Sequence, residues 1–544
     1  MHRLRPALCA VAFLAAGVSA APADDKPARP NIILILADDM GFSDLGCYGS
    51  EIATPNLDRL AARGLRFTQF YNAARCCPTR AALLTGLYPH QAGVGHMLGD
   101  WAKPAYTSGL NDHCVTIAEL LREAGYRTHM VGKWHVGQLV GKRPANRPLD
   151  RGFERFYGTG GGGNYFAPEP LMRDNDRIEP GGADYYVTDA FSEAAVRFVE
   201  QHVESGAQAP FFLHLCYTAP HFPLQAKPDD IARNRGKYKD GWDALRARRY
   251  ARQKELGIID PLWPLSPRDP VAQPWTDATD KDEWDLRMAV YAAMIECMDR
   301  GIGRVVEAVR RAGMERNTLI LFLSDNGASA EYLDTWPNPA RGHKPGSVTG
   351  TKKSHRCLEV GWANAANTPF REHKMWVHEG GIATPLIAYW PGTIRAEGSL
   401  TREVGHVIDL MPTCLELAGA TYPREFHGHA LTPLEGKSLV SILRGGQWSA
   451  PRTLCWEHEG NRAIRKGDWK LVGEFRGPWE LYDMKTDRTE TKDLAPAEPE
   501  RVKALAAEWQ AWADKVGVIP WEKLPGGNYR PSSTYRKKCE PVAQ

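Results

Sequence analysis

The chain has 544 residues, 43% of them hydrophobic and 24% charged, and a net charge of +3. That is ample for a large core and suggests more than one domain. The near-neutral charge and the lack of a dense basic tract argue against nucleic acid as a partner.

The first 25 residues, MHRLRPALCAVAFLAAGVSAAPADD, place Arg3 and Arg5 ahead of an apolar run from Ala7 to Val18. VSA before Ala21 fits a signal-peptidase site. The run is too short to span a membrane comfortably, and no other long apolar stretch follows. Residues 1–20 therefore read as a signal peptide, with a membrane anchor as the alternative. The mature protein is expected to be exported, periplasmic or secreted, with no stable membrane span. Cys9 leaves with that peptide, so ten of the eleven cysteines remain. Export permits disulfides, but the spacings form no repeating framework and no paired CxxC zinc pattern. Cys216 and Cys297 sit in apolar runs and read as buried core thiols.

From residue 31, strand-like and helix-like segments alternate. NIILILADD is a compact apolar run that ends in Asp38 and Asp39. TPNLDRLAARGLRF follows, with Thr54 as N-cap, Pro55 at the first helical position and Gly64 as a stop. In RCCPTRAALLTG, Pro78 suits a first helical position and Gly86 a stop, which places Cys76 just ahead of a helix N-terminus. TIAELLREAGYRTHMVGKWH carries a capping box at Thr116 and Glu119, a stop at Gly125 and a short strand into Lys133. GTGGGGNYF, Gly158 to Phe166, lacks the Gly-Lys-Ser/Thr of a phosphate loop and reads as a flexible connector. PFFLHLCYTAPH is a strand. RMAVYAAMIECMDRGIGRVVEAVRRAG is a long amphipathic helix, and TLILFLSDNGA and TPLIAYWPG are strands.

Two stretches break the rhythm, Pro223 to Trp284 and Ala328 to Arg371, and both read as excursions where binding loops live. The first holds a basic helical piece, DALRARRYARQKELG. After about residue 450, NRAIRKGDWKLVGEF and WELYDMKTDRTETKDL read as short strands joined by turns, and EPERVKALAAEWQAWADKVG as an amphipathic helix. The expected organisation is a signal peptide at 1–20, a catalytic domain at 21–450 and a small α+β domain at 451–544. The expected fold is α/β: a large, mostly parallel mixed sheet covered by helices, plus a small antiparallel sheet with one helix.

The ends of the predicted strands carry polar groups that folding does not require. These are Asp38 and Asp39, Lys133 and His135, His221, and Asp325 and Asn326. Ligands bind outside the carboxyl ends of strands in open α/β sheets, so four such ends point to one shared site. Asp38, Asp39, Asp325 and Asn326 offer only oxygen, which suits calcium or magnesium rather than zinc. Asp and Asn also favour caps and turns, but ADDMG and SDNGA each follow a buried strand directly. Lys133, His135, His221, Arg80 and Lys374 form a cationic, proton-transferring set that can hold an anion. At Cys76 the helix N-terminus favours an anion, or a cysteine nucleophile of lowered pKa. Two independent core thiols at Cys76 and Cys77 are the plainest alternative.

Cys-x-Pro-x-Arg followed by AALLTG resembles the signature of the formylglycine-dependent sulfatases. Here the motif is Cys76, Pro78, Thr79 and Arg80, with threonine where many members have serine, and Cys77 on the variable position. The likeness covers most of the chain, through NIILILADDMG, GKWHVG, APHFP, SDNGA, KMWVHEGG and ELYDMKTDRTETKDL. WANAANTPFREHK and EHEGNRAIRKGDWKL resemble the bacterial arylsulfatase branch. The resemblance implies an alkaline-phosphatase-like fold and a sulfuric ester hydrolase. It implies Cα-formylglycine made from Cys76 by a maturating enzyme. It also implies calcium, with magnesium as the alternative, held by Asp38, Asp39, Asp325 and Asn326. One hydroxyl of the hydrated formylglycine would attack sulfur, with Asp325 taking its proton. Lys133, Lys374 and the helix N-terminus would offset charge on the sulfuryl oxygens. His221 with Lys374 would protonate the departing alcohol or phenol, and His135 would deprotonate the second hydroxyl. Arg80 and Lys133 would orient the hydrate. Lys133, His221 and Lys374 are thus the expected substrate contacts, and a sulfated small molecule or glycan the expected substrate. The competing readings are a formylglycine-dependent phosphodiesterase or phosphonate monoester hydrolase, a non-catalytic sulfated-glycan binder, and a cysteine hydrolase. Specificity is expected in the two long excursions, at WEHEGNR near His458, and at Lys344, Lys352 and Lys353.

Overall fold

The computed structural model describes residues 29–141, 146–331 and 347–525. The expected signal peptide with Cys9, as well as Lys344 and Cys539, lies outside the described residues. An eleven-stranded mixed sheet forms the centre. Its strands are β1 (Asn31–Ala37), β2 (Leu65–Tyr71), β3 (Arg127–Lys133), β4 (Arg155–Thr159), β5 (Leu171–Arg173), β6 (Asp176–Ile178), β7 (Phe211–Cys216), β8 (Thr318–Ser324), β9 (Ala383–Tyr389), β10 (Ser399–Thr401) and β11 (Gly405–His406). Their order is β10-β2-β9-β8-β1-β7-β3-β4-β5-β6, with β11 beside β2. The helices used below are α1 (Pro55–Ala62), α2 (Cys76–Thr85), α3 (Ile117–Glu123) and α4 (Lys281–Arg311).

β1 is central and pairs in parallel with both β7 and β8. Every residue of β1, β7 and β8 is buried, which is why these strands read as continuous apolar runs instead of alternating ones. β3 extends the parallel block beyond β7, while β9 returns antiparallel against β8 and β2. β5 and β6 add an antiparallel edge.

Three local expectations need adjustment. Helix α2 begins at Cys76 itself with Arg75 as N-cap, so Pro78 stands third rather than first. A proline fits there because the first four amide positions of a helix have no intrahelical acceptor. Thr54 occupies the N-cap of α1, but its hydroxyl accepts from the Gly46 amide at 2.9 Å and does not cap the helix. Gly64 follows the C-cap, Arg63, and a Cβ there would lie 2.3 Å from the Ala388 carbonyl oxygen. Close approach to β9, not helix termination, requires that glycine. The capping box of α3 forms as expected, and Gly86 closes α2 at φ 71°.

A short hairpin pairs β12 (Glu425–Phe426) with β13 (His429–Ala430). A four-stranded antiparallel sheet then follows: β14 (Thr453–His458), β15 (Asn461–Lys466), β16 (Trp469–Gly473) and β17 (Glu480–Asp483). Its two faces are used differently. Leu454, Trp456, Ala463, Val472 and Tyr482 join the main core. Their neighbours Cys455, Ile464, Leu471 and Leu481 pack with Leu505 and Trp509 of α5 (Pro499–Val516). Strand alternation thus clamps the sheet between the body and that helix. All nine described cysteines are free and buried, including Cys216 and Cys297.

Candidate active site

Because β1, β3, β7 and β8 run parallel, their carboxyl ends share one edge. The register Ala37↔Ser324 sets Asp38 and Asp39 beside Asp325 and Asn326. Lys133 ends β3, His221 lies in the turn after β7, and Lys374 precedes the antiparallel β9. The structure brings all ten sequence-predicted site residues to this edge. Lys133 Nζ lies 2.7 Å from Asp38 Oδ2, and Lys374 Nζ 2.9 Å from Asp39 Oδ2. Arg80 donates Nε and Nη2 to Asp325 Oδ2 at 2.9 and 2.7 Å, and Nη1 to the Lys133 carbonyl at 2.9 Å. The Asp39 amide donates to Asp325 Oδ1 at 3.3 Å.

The four oxygen-bearing residues fit a divalent cation. All are buried, and Asn326 Nδ2 donates to Asp39 Oδ1 at 2.7 Å. Asp38 Oδ1 and Asn326 Oδ1 are buried without a hydrogen-bond partner. An orphaned buried polar atom costs about 1–3 kcal/mol, so two of them in one cluster call for an unseen partner. Burial and the Asp38 charge hold the Asp325 carboxyl well above the ordinary carboxylate range, against Arg80 and Lys133. At Asp38 burial acts the same way, but Lys133, His221 and Arg80 outweigh it and bring the pKa to about 2. Oxygen-only donors with surplus negative charge suit a hard cation such as calcium or magnesium.

Cys76 is 2% exposed and stands at the first position of α2, where free amides and the helix dipole favour negative charge. Its sulfur lies within 4.8 Å of a Cys77 sulfur and a His135 ring nitrogen. A hydrogen bond from Cys77, then Lys133 and His135, hold the Cys76 thiol well below its ordinary pKa despite burial. Burial pushes the Cys77 thiol the other way. Burial, helped by Lys133, lowers His135 to about 4, so the ring is neutral near pH 7.

His221 Nδ1 faces the Phe222 carbonyl at 2.5 Å, which can only accept, so that nitrogen carries hydrogen. Its Nε2 then faces Lys374 Nζ and Asp39 Oδ2, each at 3.5 Å. A proton placed on either Lys374 or His221 Nε2 is therefore within reach of the other.

The glycine-rich run, read as a flexible connector, instead lines the site. A Cβ on Gly162 would lie 2.9 Å from His221 Nδ1, and one on Gly161 3.7 Å from His135 Nε2. Tyr165 in the same run places its hydroxyl 2.6 and 2.8 Å from the Thr218 and His221 carbonyl oxygens. Only glycine lets this backbone lie so close to His221.

Sequence reasoning missed Arg75, His96, Glu331 and Glu459. Arg75 pairs with Glu459 at 2.7 Å and with Glu331 at 3.8 Å, and Glu331 lies 3.5 Å from Lys374. His458, singled out in WEHEGNR, lies fully buried behind its neighbour Glu459. No sequence signal marks the missed residues, but the folded backbone does mark this edge: Asp39, Ala74, His135, Met375 and Glu459 all adopt positive φ without being glycine. Such residues cluster at functional sites.

A chain with this sheet, this motif-bearing helix and this edge of charged residues can be compared with known proteins. The family model described as Sulfatase matches residues 30–420, and the model described as N-sulphoglucosamine sulphohydrolase, C-terminal, matches 371–511. The chain belongs to the sulfatase family, with the alkaline-phosphatase-like fold. It is an enzyme of sulfate-ester hydrolysis. It is 34% identical to an arylsulfatase of Klebsiella aerogenes, over 81% of this chain and 97% of that one. It is 35% identical to an uncharacterised sulfatase of Schizosaccharomyces pombe, over 90% and 94%. Against a canine N-acetylgalactosamine-6-sulfatase the identity is 30%, over 87% and 77%. Among solved structures, Ps i-CgsB in complex with k-i-k-neocarrahexaose aligns at TM-score 0.65 and 27% identity, over 94% of this chain and 98% of that one. Among the described residues no helix is long and apolar enough to cross a membrane.

Proposed function

We propose that the chain is an arylsulfatase-type enzyme that works through Cα-formylglycine at position 76, with calcium held by Asp38, Asp39, Asp325 and Asn326. The observation that carries this reading is the position of Cys76, at a helix N-terminus beside His135 and Lys133, next to an oxygen-only cluster with two orphaned oxygens. Formylglycine would supply a geminal diol as the nucleophile. The cation would neutralise charge at the sulfuryl oxygens.

The chain's own residues do the rest. Asp325 accepts the proton of the attacking hydroxyl. Lys133, Lys374 and the free amides of α2 offset charge that develops on the sulfuryl oxygens. His221 Nε2, sharing a proton with Lys374, protonates the departing oxygen as the sulfur–oxygen bond breaks. His135, neutral, takes the proton of the second hydroxyl so that sulfate leaves. Arg80 forks onto Asp325 and the Lys133 carbonyl, which fixes both groups toward residue 76.

Cys76 is 2% exposed in the folded chain, which favours its oxidation by a maturating enzyme before folding is complete. The apolar leader at residues 1–20 favours export. The reading is tested by comparing kcat/KM on p-nitrophenyl sulfate with the matched phosphate mono- and diesters. Sulfate is expected to be preferred, and higher efficiency on either phosphate ester contradicts the assignment.

A further inference from the structure

Apart from the oxygen-only cluster, a second set of metal-ligand types meets at the turn between β14 and β15. His458 ends β14, Glu459 follows it in the turn, and His96 comes from the segment after α2. One ligand atom from each lies within 4.8 Å of the other two. Glu459 Oε1 stands 2.8 Å from His96 Nε2 and 3.7 Å from His458 Nε2. Zinc bonds of about 2.0–2.2 Å at tetrahedral angles hold neighbouring ligand atoms about 3.3–3.6 Å apart, so shifts of about half an ångström would complete the set.

Hydrogen bonding does not account for these side chains. His458 is fully buried, yet neither of its ring nitrogens has a partner, and Glu459 Oε2 is orphaned beside it. An unpaired buried polar group is costly, so a ring with both nitrogens idle calls for a partner that the protein does not supply. His96 lies nearly parallel to His458 at 5.3 Å and packs on Trp101 at 4.9 Å, which fixes its ring. Its side chain keeps 14% exposure, which gives an ion a way in. In the neutral ring, moving the proton from Nε2 to the unpartnered Nδ1 frees the Nε2 lone pair with no change of charge. Two imidazoles and one carboxylate suit zinc, copper or nickel rather than calcium, and leave a fourth position for water.

Arg75 is the competitor. Its Nη1 donates to the same Glu459 Oε1 at 2.7 Å, so a metal ion there places a second cation on one oxygen. Arg75 is also the N-cap of α2, directly before residue 76. Its Nη2 lies 3.8 Å from Glu331, which in turn lies 3.5 Å from Lys374. An ion at Glu459 therefore pushes on a guanidinium tied both to the helix bearing residue 76 and to the lysine of the site.

We propose that His96, His458 and Glu459 form a second cation site, one for zinc or a similar transition metal, and that its occupation lowers turnover by drawing Arg75 away from the Glu459 carboxylate. The site stands apart from the sulfatase reading, and only the effect on turnover rests on it. The test uses full-length matured enzyme saturated with calcium, so that the oxygen-only cluster is filled, with zinc chloride as the probe. Calorimetry is expected to show one zinc bound per chain. Affinity should fall about 100-fold or more in His96→Gln and in His458→Gln, since losing even a group that only supports a ligand costs about 10- to 100-fold. His96 is partly exposed, so its variant guards against misfolding at the buried His458. Cobalt(II) in place of zinc should give the visible bands of a four-coordinate nitrogen–oxygen site. Zinc should lower kcat on p-nitrophenyl sulfate by about 10-fold, as a small displacement near the reacting groups does, and a zinc-selective chelator should restore it. No bound zinc, an unchanged affinity in the folded variants, or a sulfur-to-cobalt charge-transfer band, which would put the ion on cysteine, overturns the site. Zinc binding with no change in turnover overturns the coupling through Arg75. Failure of the zinc-free enzyme on p-nitrophenyl sulfate counts instead against the sulfatase reading, and the binding result stands without it.

Discussion

Cys76 and Cys77 are adjacent in sequence and unlike in setting. Cys76 stands at a helix N-terminus among His135 and Lys133, while Cys77 is a buried thiol whose pKa burial raises. Cys76→Ala should abolish hydrolysis of p-nitrophenyl sulfate, and Cys77→Ser should keep kcat within about one order of magnitude. Equal loss from both would reverse the assignment within CCPTR. Arg80→Lys should lower kcat by about 10²–10³, because an ammonium cannot hold Asp325 and the Lys133 carbonyl at once. Removing the bound cation with a chelator should abolish turnover, and calcium should restore it more fully than magnesium. Recovery with neither ion would contradict the ligand set. Much of this centre was legible because each carboxylate follows a strand too apolar to be anything but buried. Arg75 and Glu459 were not legible, since their pairing spans 384 residues and exists only in the folded chain.

At the scale of elements, strand ends read well and helix caps only in part: the Thr116 capping box and Gly86 hold, but Thr54 does not cap α1. Pro78 suggested that α2 opens there, but a proline within the first turn does not fix which residue comes first. β14 escaped notice because TLCWEH ends in polar residues that look like a loop until Glu459 and its partners explain them. The short helical turn Glu379–Ile382 ties the body to the C-terminal sheet through wholly buried charges. Glu379 bonds Lys470 at 2.9 Å and Arg488 at 2.7 Å. Burial opposes ionisation of Glu379, but Lys470, Arg488 and Arg465 depress its pKa from 4.5 to about 2. A depressed carboxyl stabilises the fold fully above the unfolded pKa and loses that contribution as pH falls through the folded value. Stability on the order of 3 kcal/mol should therefore fade between pH 4.5 and about 2. Glu379→Gln should cost about 3–5 kcal/mol at neutral pH by stranding buried cations. It should also flatten the fall in melting temperature over that acid range, and an unchanged slope would rule the linkage out.

At the scale of the whole molecule, the large mixed sheet was legible from alternating segments, because a buried parallel sheet demands them. The closeness of the C-terminal part was not. Its sheet puts Leu454 and Trp456 into the main core, and Trp456 Nε1 donates to the Asn72 carbonyl at 2.8 Å, one strand end away from Cys76. Truncation after residue 450 should therefore expose the core and leave an insoluble product, which a solubility and refolding assay would show. Turnover depends on the chemistry of residue 76. Trypsin cleaves after Arg75 and Arg80, so Cys76 to Arg80 forms one peptide, CCPTR, whose mass reports that side chain directly. From active enzyme made in its native host, the peptide is expected to carry one cysteine CH₂SH replaced by CHO, located at position 76. A peptide carrying two unmodified thiols in a fully active preparation would contradict it.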